Sequence, residues 1–196
     1  MKKYLTVKNI SSIAILSALG AVLMMFDFPI VIAPNFYKLD LGDVPCLIGG
    51  FALGPIPALF IQVIKIIIKL LIKPTSSAFV GELAAFITSS SLCVTAAYFY
   101  DKNRNKKGAI KAMIIGSIVM TIIASLANYL FIIPAYVNLY HLPLEKIVAM
   151  GSAIFSIVKD KLTFVLFCVV PFNIIKAIVV CFLTAILYKH ISPILK

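Results

Sequence analysis

Apolar residues run along this chain in long blocks, at about 8–27, 44–72, 79–100, 110–133 and 162–188, with polar connections between them. A helix that crosses a bilayer needs about 20 mainly apolar residues, and every block except the second suits one such crossing. The second is too long for a single rod, since 44–72 would reach about 43 Å against a hydrocarbon core of about 30 Å. Its middle reads Gly49-Gly50-Phe51-Ala52-Leu53-Gly54-Pro55-Ile56-Pro57, and a proline inside a helix removes a backbone donor and clashes with the preceding turn. The pattern therefore predicts two short helices, 44–54 and 57–72. The chain is expected to be one all-α integral membrane domain, 1–196, with six transmembrane helices at 8–27, 44–54, 57–72, 79–100, 110–133 and 162–188.

Charge supplies an orientation. There are 18 Lys and Arg against seven Asp and Glu, a net charge of +11. The cations concentrate at the two ends and between Asp101 and Lys111, the distribution of cytoplasmic loops. With Lys2, Lys3 and Lys8 inside, six spans return Lys102, Arg104, Lys106, Lys107, Lys111 and the 189–196 tail to the cytoplasm. Five spans would place the 101–111 cluster outside. Both termini are thus expected in the cytoplasm, leaving outer connections at 28–43, 73–78 and 134–161. The first and third exceed the roughly 12–15 residues beyond which a loop tends to be functional, which directs the search for a ligand to the outer face. The first block carries signal-peptide features, but apolar Val22–Phe26 follows Ala21, so it reads as a retained helix.

Composition agrees with this picture. The chain is 62% hydrophobic and 13% charged, with a mean hydropathy of +1.10, against about 45–50% and about 25% in soluble domains. No basic patch with interleaved aromatics points to nucleic acid. Cys46, Cys93, Cys168 and Cys181 are scattered, and His141 and His190 stand alone, so neither a metal site nor a redox motif is expected. A phosphate-binding GxxxxGK[ST] loop, HExxH and GxSxG are absent, as is a dense carboxylate cluster for magnesium. ATP hydrolysis by the chain itself is therefore not expected.

Polar groups within the membrane are costly and face a cavity or a partner. In the last span, Asn173 and Lys176 share a helix face below Pro171; Lys176 either pairs structurally or meets a ligand. Asn128 lies about one and a half turns inside the outer end of the fifth span, at a depth suited to a site shared with Asn173, and serves either as interhelical glue or as a ligand contact. In the first outer loop, Asp43 is placed to N-cap the helix that follows, whereas Lys38 and Asp40 have no evident structural task. Lys69 and Glu82 are expected at similar depth, as an ion pair or as ligand contacts. Ala14, Ser17, Ala18 and Ala21 form a stripe of small residues that admits close approach of another helix, internal or from a partner.

Several of these segments together resemble the substrate-binding S components of energy-coupling-factor (ECF) vitamin transporters, most closely the riboflavin-specific type. They are the Ala14-xxx-Ala18 stripe, Phe36-Tyr37-Lys38-Leu39-Asp40-Leu41-Gly42-Asp43-Val44-Pro45, the Gly49–Pro57 break, Val80-Gly81-Glu82-Leu83-Ala84, and Pro171-Phe172-Asn173-Ile174-Ile175-Lys176. The resemblance implies a non-enzymatic subunit with the six-helix ECF S-component fold, in the cell membrane, that captures riboflavin from outside as a transported ligand and not as a cofactor. It implies association with a membrane coupling protein (the T component), contacted by Ala14, Ser17, Ala18 and Ala21, and with two cytoplasmic ATPase subunits. It places Asn128, Asn173 and Lys176 against the flavin ring, and Lys38, Leu39 and Asp40 near the ribityl chain. Glu82 joins the candidate contacts, and Tyr129 and Phe131 are expected to line the pocket. Flavin mononucleotide, thiamine, folate or pantothenate are the alternative ligands, and a small membrane enzyme using Glu82, Asp40 or Asp43 is the alternative class.

Overall fold

A computed structural model describes residues 6–195, with side chains through Tyr188. Lys2, Lys3 and the side chains of the 189–196 tail, His190 included, lie outside the described residues. The chain is almost wholly helical. Helix α1 spans Val7–Met25 and is capped by the Thr6 hydroxyl, which accepts from the Asn9 N–H at 3.3 Å. A short antiparallel ribbon follows, β1 (Phe28–Pro29) with β2 (Lys38–Leu39). Then come α2 (Asp43–Leu53), α3 (Pro55–Ile72), α4 (Val80–Lys102) and α5 (Lys106–Ala127).

The break in the overlong apolar block falls at Gly54. Its φ of 104° lies in the region that favours glycine, and Pro55 opens α3 at a position where its missing N–H costs nothing. At 11 residues α2 is about 17 Å long. Every residue from Asp43 to Phe51 is buried, because α2 packs against α1, α3, α4 and α9 at once. An apolar helix without a polar face belongs in such an interior position.

The structure departs from the sequence reading after α5. A π-helical turn at Asn128–Ile132 carries the helix into α6 (Ile133–Leu139), so one continuous helical stretch covers Lys106–Leu139. It reaches about 51 Å and stands well beyond a hydrocarbon core. The 134–161 segment is consequently not a bare loop: it contains α6 and α7 (Leu144–Ser152). Helix α8 (Lys161–Phe164) is started by Asp160 and Thr163 in a reciprocal capping box and passes through a second π-helical turn, Val165–Val169, into α9 (Val170–Leu195).

Among the described residues, five helical stretches have the length and apolarity to cross a membrane: Val7–Met25, Pro55–Ile72, Val80–Lys102, Lys106–Leu139 and Lys161–Tyr188. Their outward faces are greasy. Ile110, Ile114, Ile118 and Ile122 recur every fourth residue along α5, all exposed, as are Ile174, Ile178 and Phe182 on α9. In water such a belt would be prohibitive, whereas hydrocarbon covers it without cost.

The interior holds two apolar clusters. One gathers Leu16, Leu47, Phe51, Ile61, Leu92, Met120 and Val180. The other gathers Val80, Ile132, Tyr136, Ile147, Phe164 and Val169. Along α4 and α9 the stretch between these clusters brings in buried polar residues, Ser89 on the first and Asn173 and Lys176, beside Phe172, on the second.

A polar cavity built on a buried ion network

The seam between the two clusters opens into a cavity of about 340 Å³, within the usual range for small-molecule sites of roughly 300–1,000 Å³. Its walls include Lys38, Asp40, Glu82, Asn128, Asn173 and Lys176, so residues from the first loop, α4, the first π turn and α9 converge although up to 138 positions separate them. Leu39, by contrast, is buried and pairs with Phe28 in the ribbon, and it does not line the cavity.

The aromatic walls are not those expected. Tyr129 and Phe131 point outward, 38% and 64% exposed, and Lys161 stacks its ammonium over the Tyr129 ring at 4.2 Å. Neighbouring helical residues diverge in direction, so the cavity neighbour of Asn128 is Ile132, one turn on. Phe36, Tyr37, Tyr136, Tyr140 and Phe172 supply the rings instead. Tyr37 is the most consequential of them, since its hydroxyl donates to Asn128 Oδ1 at 2.6 Å while its ring packs on Phe172 at a centroid distance of 5.3 Å. An aromatic pair directly before Lys-Leu-Asp in a long outer loop is the sequence signal for it.

The two asparagines are held alike. Asn128 Nδ2 donates to Ala124 O and Asn173 Nδ2 to Val169 O, both at 2.8 Å. A backbone carbonyl only accepts, so each amide is oriented, with its second N–H and its oxygen left for other partners; on Asn128 one lone pair of that oxygen already takes the Tyr37 hydroxyl. Glu82 accepts from Lys69 at 2.7 Å, from Thr75 Oγ1 at 2.9 Å and from Ser77 Oγ at 3.3 Å. The Lys69–Glu82 pair therefore forms, and Lys69, Ser77 and Glu82 all line the cavity. The loop before α4 reaches this geometry through left-handed Ala78 and Phe79, φ 49° and 66°.

Asp43 does not cap α2. Gly42 occupies the cap position without a side-chain bond, and the Asp43 carboxylate turns inward to become the hub of a buried network. Its Oδ1 accepts from Lys65 at 2.6 Å, and its Oδ2 accepts from Ser89 at 2.7 Å and lies 3.0 Å from Lys176 Nζ. Lys176 also donates to Asp40 Oδ2 at 3.1 Å, and Asp40 Oδ1 accepts the Gly42 N–H at 2.9 Å. An uncompensated charge buried here would cost several kcal/mol, roughly 3–5 by partner removal; two lysines and two aspartates sum to zero. Lys65, on α3 and outside the cavity lining, is thus part of the support of the site.

At the mouth, Asp27 pairs with Lys38 at 3.1 Å and Lys73 at 3.3 Å. Partial burial would raise the Asp27 pKa, but the hydrogen bonds from Lys38 and Lys73 outweigh it and hold the carboxyl below its ordinary value. The small-residue stripe of α1 is narrower than expected. Ser17 and Ala21 are buried in the bundle, with Ser17 Oγ bonding back to Ile13 O at 2.7 Å, while Ala14 and Ala18 remain exposed. The pattern i, i+3, i+4, i+7 spans more of the helix surface than one partner face, and its buried half serves internal packing. Among the described residues, no group of three or more His, Cys, Asp and Glu is placed to hold a metal ion.

Fold and cavity together define a helical membrane protein with a cavity of small-molecule size. Residues 8–188 match the family described as ECF transporter, substrate-specific component, and the chain belongs to that family. It is a transporter component and not an enzyme. The chain is 31% identical over 189 residues to the riboflavin transporter RibU of Staphylococcus aureus (strain TCH60), covering 96% of this chain and 93% of the relative. It is 28% identical over 188 residues to the riboflavin transporter FmnP of Bacillus subtilis (strain 168), covering 95% and 93%. A solved structure of the S component of a bacterial ECF transporter superposes with a TM-score of 0.75 at 32% identity, covering 95% of this chain and 96% of the other.

Proposed function

We propose that the chain captures riboflavin at the outer face of the cell membrane and delivers it inward as the substrate-binding subunit of an ECF transporter. The observation that carries the reading is the cavity itself: two oriented asparagine amides and the Lys176 ammonium set among five aromatic rings. A flavin is flat and largely apolar, with an N–H flanked by carbonyls on its pyrimidine edge. Asn128 and Asn173 supply acceptors for such an N–H and Lys176 a donor for the carbonyls or ring nitrogens. Asp40, the Lys69–Glu82 pair and Lys38 are then the partners of the ribityl hydroxyls, with Leu39 buried beside Lys38 in the ribbon. The names of the relatives above support the same ligand.

In this reading the chain crosses the membrane six times, with α2 as the short interior crossing and both termini in the cytoplasm, so that the 101–111 cations face inside. Exposed Ala14 and Ala18 give the coupling protein its contact, and two cytoplasmic ATPases supply the energy. Purified protein tests the ligand directly. It is expected to carry a flavin absorption spectrum or to quench riboflavin fluorescence on titration, and Asn173→Ala is expected to weaken binding about 5- to 150-fold, the worth of one buried hydrogen bond. Colourless protein that leaves riboflavin fluorescence unchanged refutes the reading. Flavin mononucleotide is the second ligand to titrate, because Lys38 and Lys73 share a single carboxylate at the mouth and leave one cation for a phosphate. Thiamine, folate and pantothenate complete the competition series.

A further inference from the structure

We infer that Asp43 positions the Lys176 ammonium as a donor into the cavity, and that Lys65 is the counter-charge that stops Asp43 from drawing this ammonium out of the wall. Only Asp40 and Lys176 of the buried network line the cavity; Asp43, Lys65, Gln62 and Ser89 stand behind it. An ammonium has three donors and no acceptor. Asp40 Oδ2 accepts one at 3.1 Å, and the ion pair with Asp43 Oδ2 at 3.0 Å holds the ammonium to the wall from behind, which sets the direction left for an occupant.

Asp43 is itself held from three sides. Lys65 Nζ bonds Oδ1 at 2.6 Å, Gln62 Nε2 approaches the same oxygen at 3.5 Å, and Ser89 Oγ bonds Oδ2 at 2.7 Å. Without Lys65 the cluster of Asp40, Asp43 and Lys176 would carry a net negative charge in a desolvated place, and the full pull of Asp43 would fall on Lys176. The fold keeps a path open for Lys65: its stem passes Gly20 of α1, where a Cβ would sit 2.9 Å from Lys65 Cδ. Asp43 and Lys65 are therefore positioning residues, acting on the ligand through Lys176.

The test, which takes riboflavin as the occupant and so rests on the reading above, is a charge-rescue series read by fluorescence-quenching titration. Lys65→Met leaves the cluster negative and is expected to weaken riboflavin binding about tenfold, one charged hydrogen bond's worth, though Lys65 never meets the cavity. Asp43→Asn added to Lys65→Met restores neutrality, and the Asn oxygen still accepts from Lys176, so affinity is expected to return to within about threefold of wild type. Asp43→Leu with Lys65→Met is neutral but has no acceptor, and stays weak. Equal affinities for the two double variants, or no recovery in the Asn variant, overturn the positioning role. If Lys65→Met does not fold, Ser89→Ala decides, with about threefold weaker binding expected from loss of the bond to Oδ2 and unchanged binding refuting the role.

A readout without ligand separates the two ideas. The Nζ resonance of Lys176 in ligand-free, ¹⁵N-lysine-labelled protein, assigned from its loss in Lys176→Arg, is expected to move in Ser89→Ala; an unmoved resonance overturns the positioning role. Wild-type protein that binds no riboflavin overturns the ligand alone, and the resonance shift then decides the positioning role.

Discussion

Gly42→Ala tests the link between the packing of α1 and the cavity. A Cβ at Gly42 would lie 2.7 Å from the backbone oxygen of Gly20, 3.0 Å from Asp40 Oδ1 and 3.0 Å from Met24 Cβ. The Gly20 oxygen belongs to the rigid body of α1 and cannot swing aside, so the first loop must lift by a few tenths of an ångström. Overpacking of this kind costs about 1–3 kcal/mol, which for a chain of this size lowers the melting temperature by about 2–12 °C. The displacement also acts at a distance. Gly42 N–H holds Asp40 Oδ1 at 2.9 Å, and Asp40 Oδ2 holds Lys176 at 3.1 Å, so lifting the loop loosens the ammonium that lines the cavity. Riboflavin affinity is expected to fall about tenfold, one charged hydrogen bond's worth. Detergent-solubilised wild type and variant are compared by thermal melting without ligand and by riboflavin titration. A variant that melts with wild type and binds as tightly would show that the loop has slack at Gly42 and that its contact with α1 does not support the cavity.

Tyr37→Phe removes the 2.6 Å donor from Asn128 Oδ1 and is expected to cost the ligand-free protein about 1–3 kcal/mol; added riboflavin, with its own N–H for the vacant oxygen, should raise the variant's melting temperature more than the wild type's, and equal gains would count against contact with Asn128. Asp27 has a folded pKa below its ordinary value of 3.8, so the stability it confers is complete above that value and fades as pH falls through the lowered one; a carboxyl ¹³C titration should show a midpoint below 3.8 that rises in Lys73→Met. Flavin mononucleotide binding should weaken between low and high salt while riboflavin binding does not, because a phosphate at the mouth meets part-exposed lysines that salt screens; matching salt profiles would place the phosphate elsewhere. Ala14→Leu with Ala18→Leu should abolish co-purification with the coupling protein and leave riboflavin titrations unchanged, and lost vitamin binding would show that the exposed stripe serves the fold.

What could be read from sequence was set by local geometry. The break near Gly54 is legible because glycine and proline act on their own turn. The Lys69–Glu82 pair is legible because a short connection returns the chain to the same depth. Asp43 misled for the opposite reason. In isolation an aspartate before Val44-Pro45 looks like a cap, and its real partners, Lys65, Ser89 and Lys176, arrive from three helices. Tyr37 is hardly legible as a site residue, because nothing local beyond the aromatic pair marks a loop tyrosine whose partner, Asn128, arrives within 2.6 Å from the first π turn. Ser17 and Ala21 show the limit of a spacing rule: periodicity identifies small residues but cannot say which half of the stripe the bundle consumes.

The scarcity of acid explains how the site works. Of seven acidic residues in the chain, Asp27, Asp40, Asp43 and Glu82 stand at or behind this one cavity, each with lysine partners. The deeper groups cancel, Asp40 and Asp43 against Lys65 and Lys176 and Glu82 against Lys69, so a neutral ring system enters without leaving a charge unpaired. Asp27 alone is outnumbered, by Lys38 and Lys73 at the exposed rim. An uncharged vitamin is thus matched along the whole depth of the cavity. An anionic one is matched only if its charge stays at the mouth, because a second anion inside would compete with Asp40 and Asp43 for an ammonium they already share. If the occupant is the flavin proposed above, its neutrality suits this gradient of charge balance, in which the deep lysines are paired and only the rim carries an unbalanced cation.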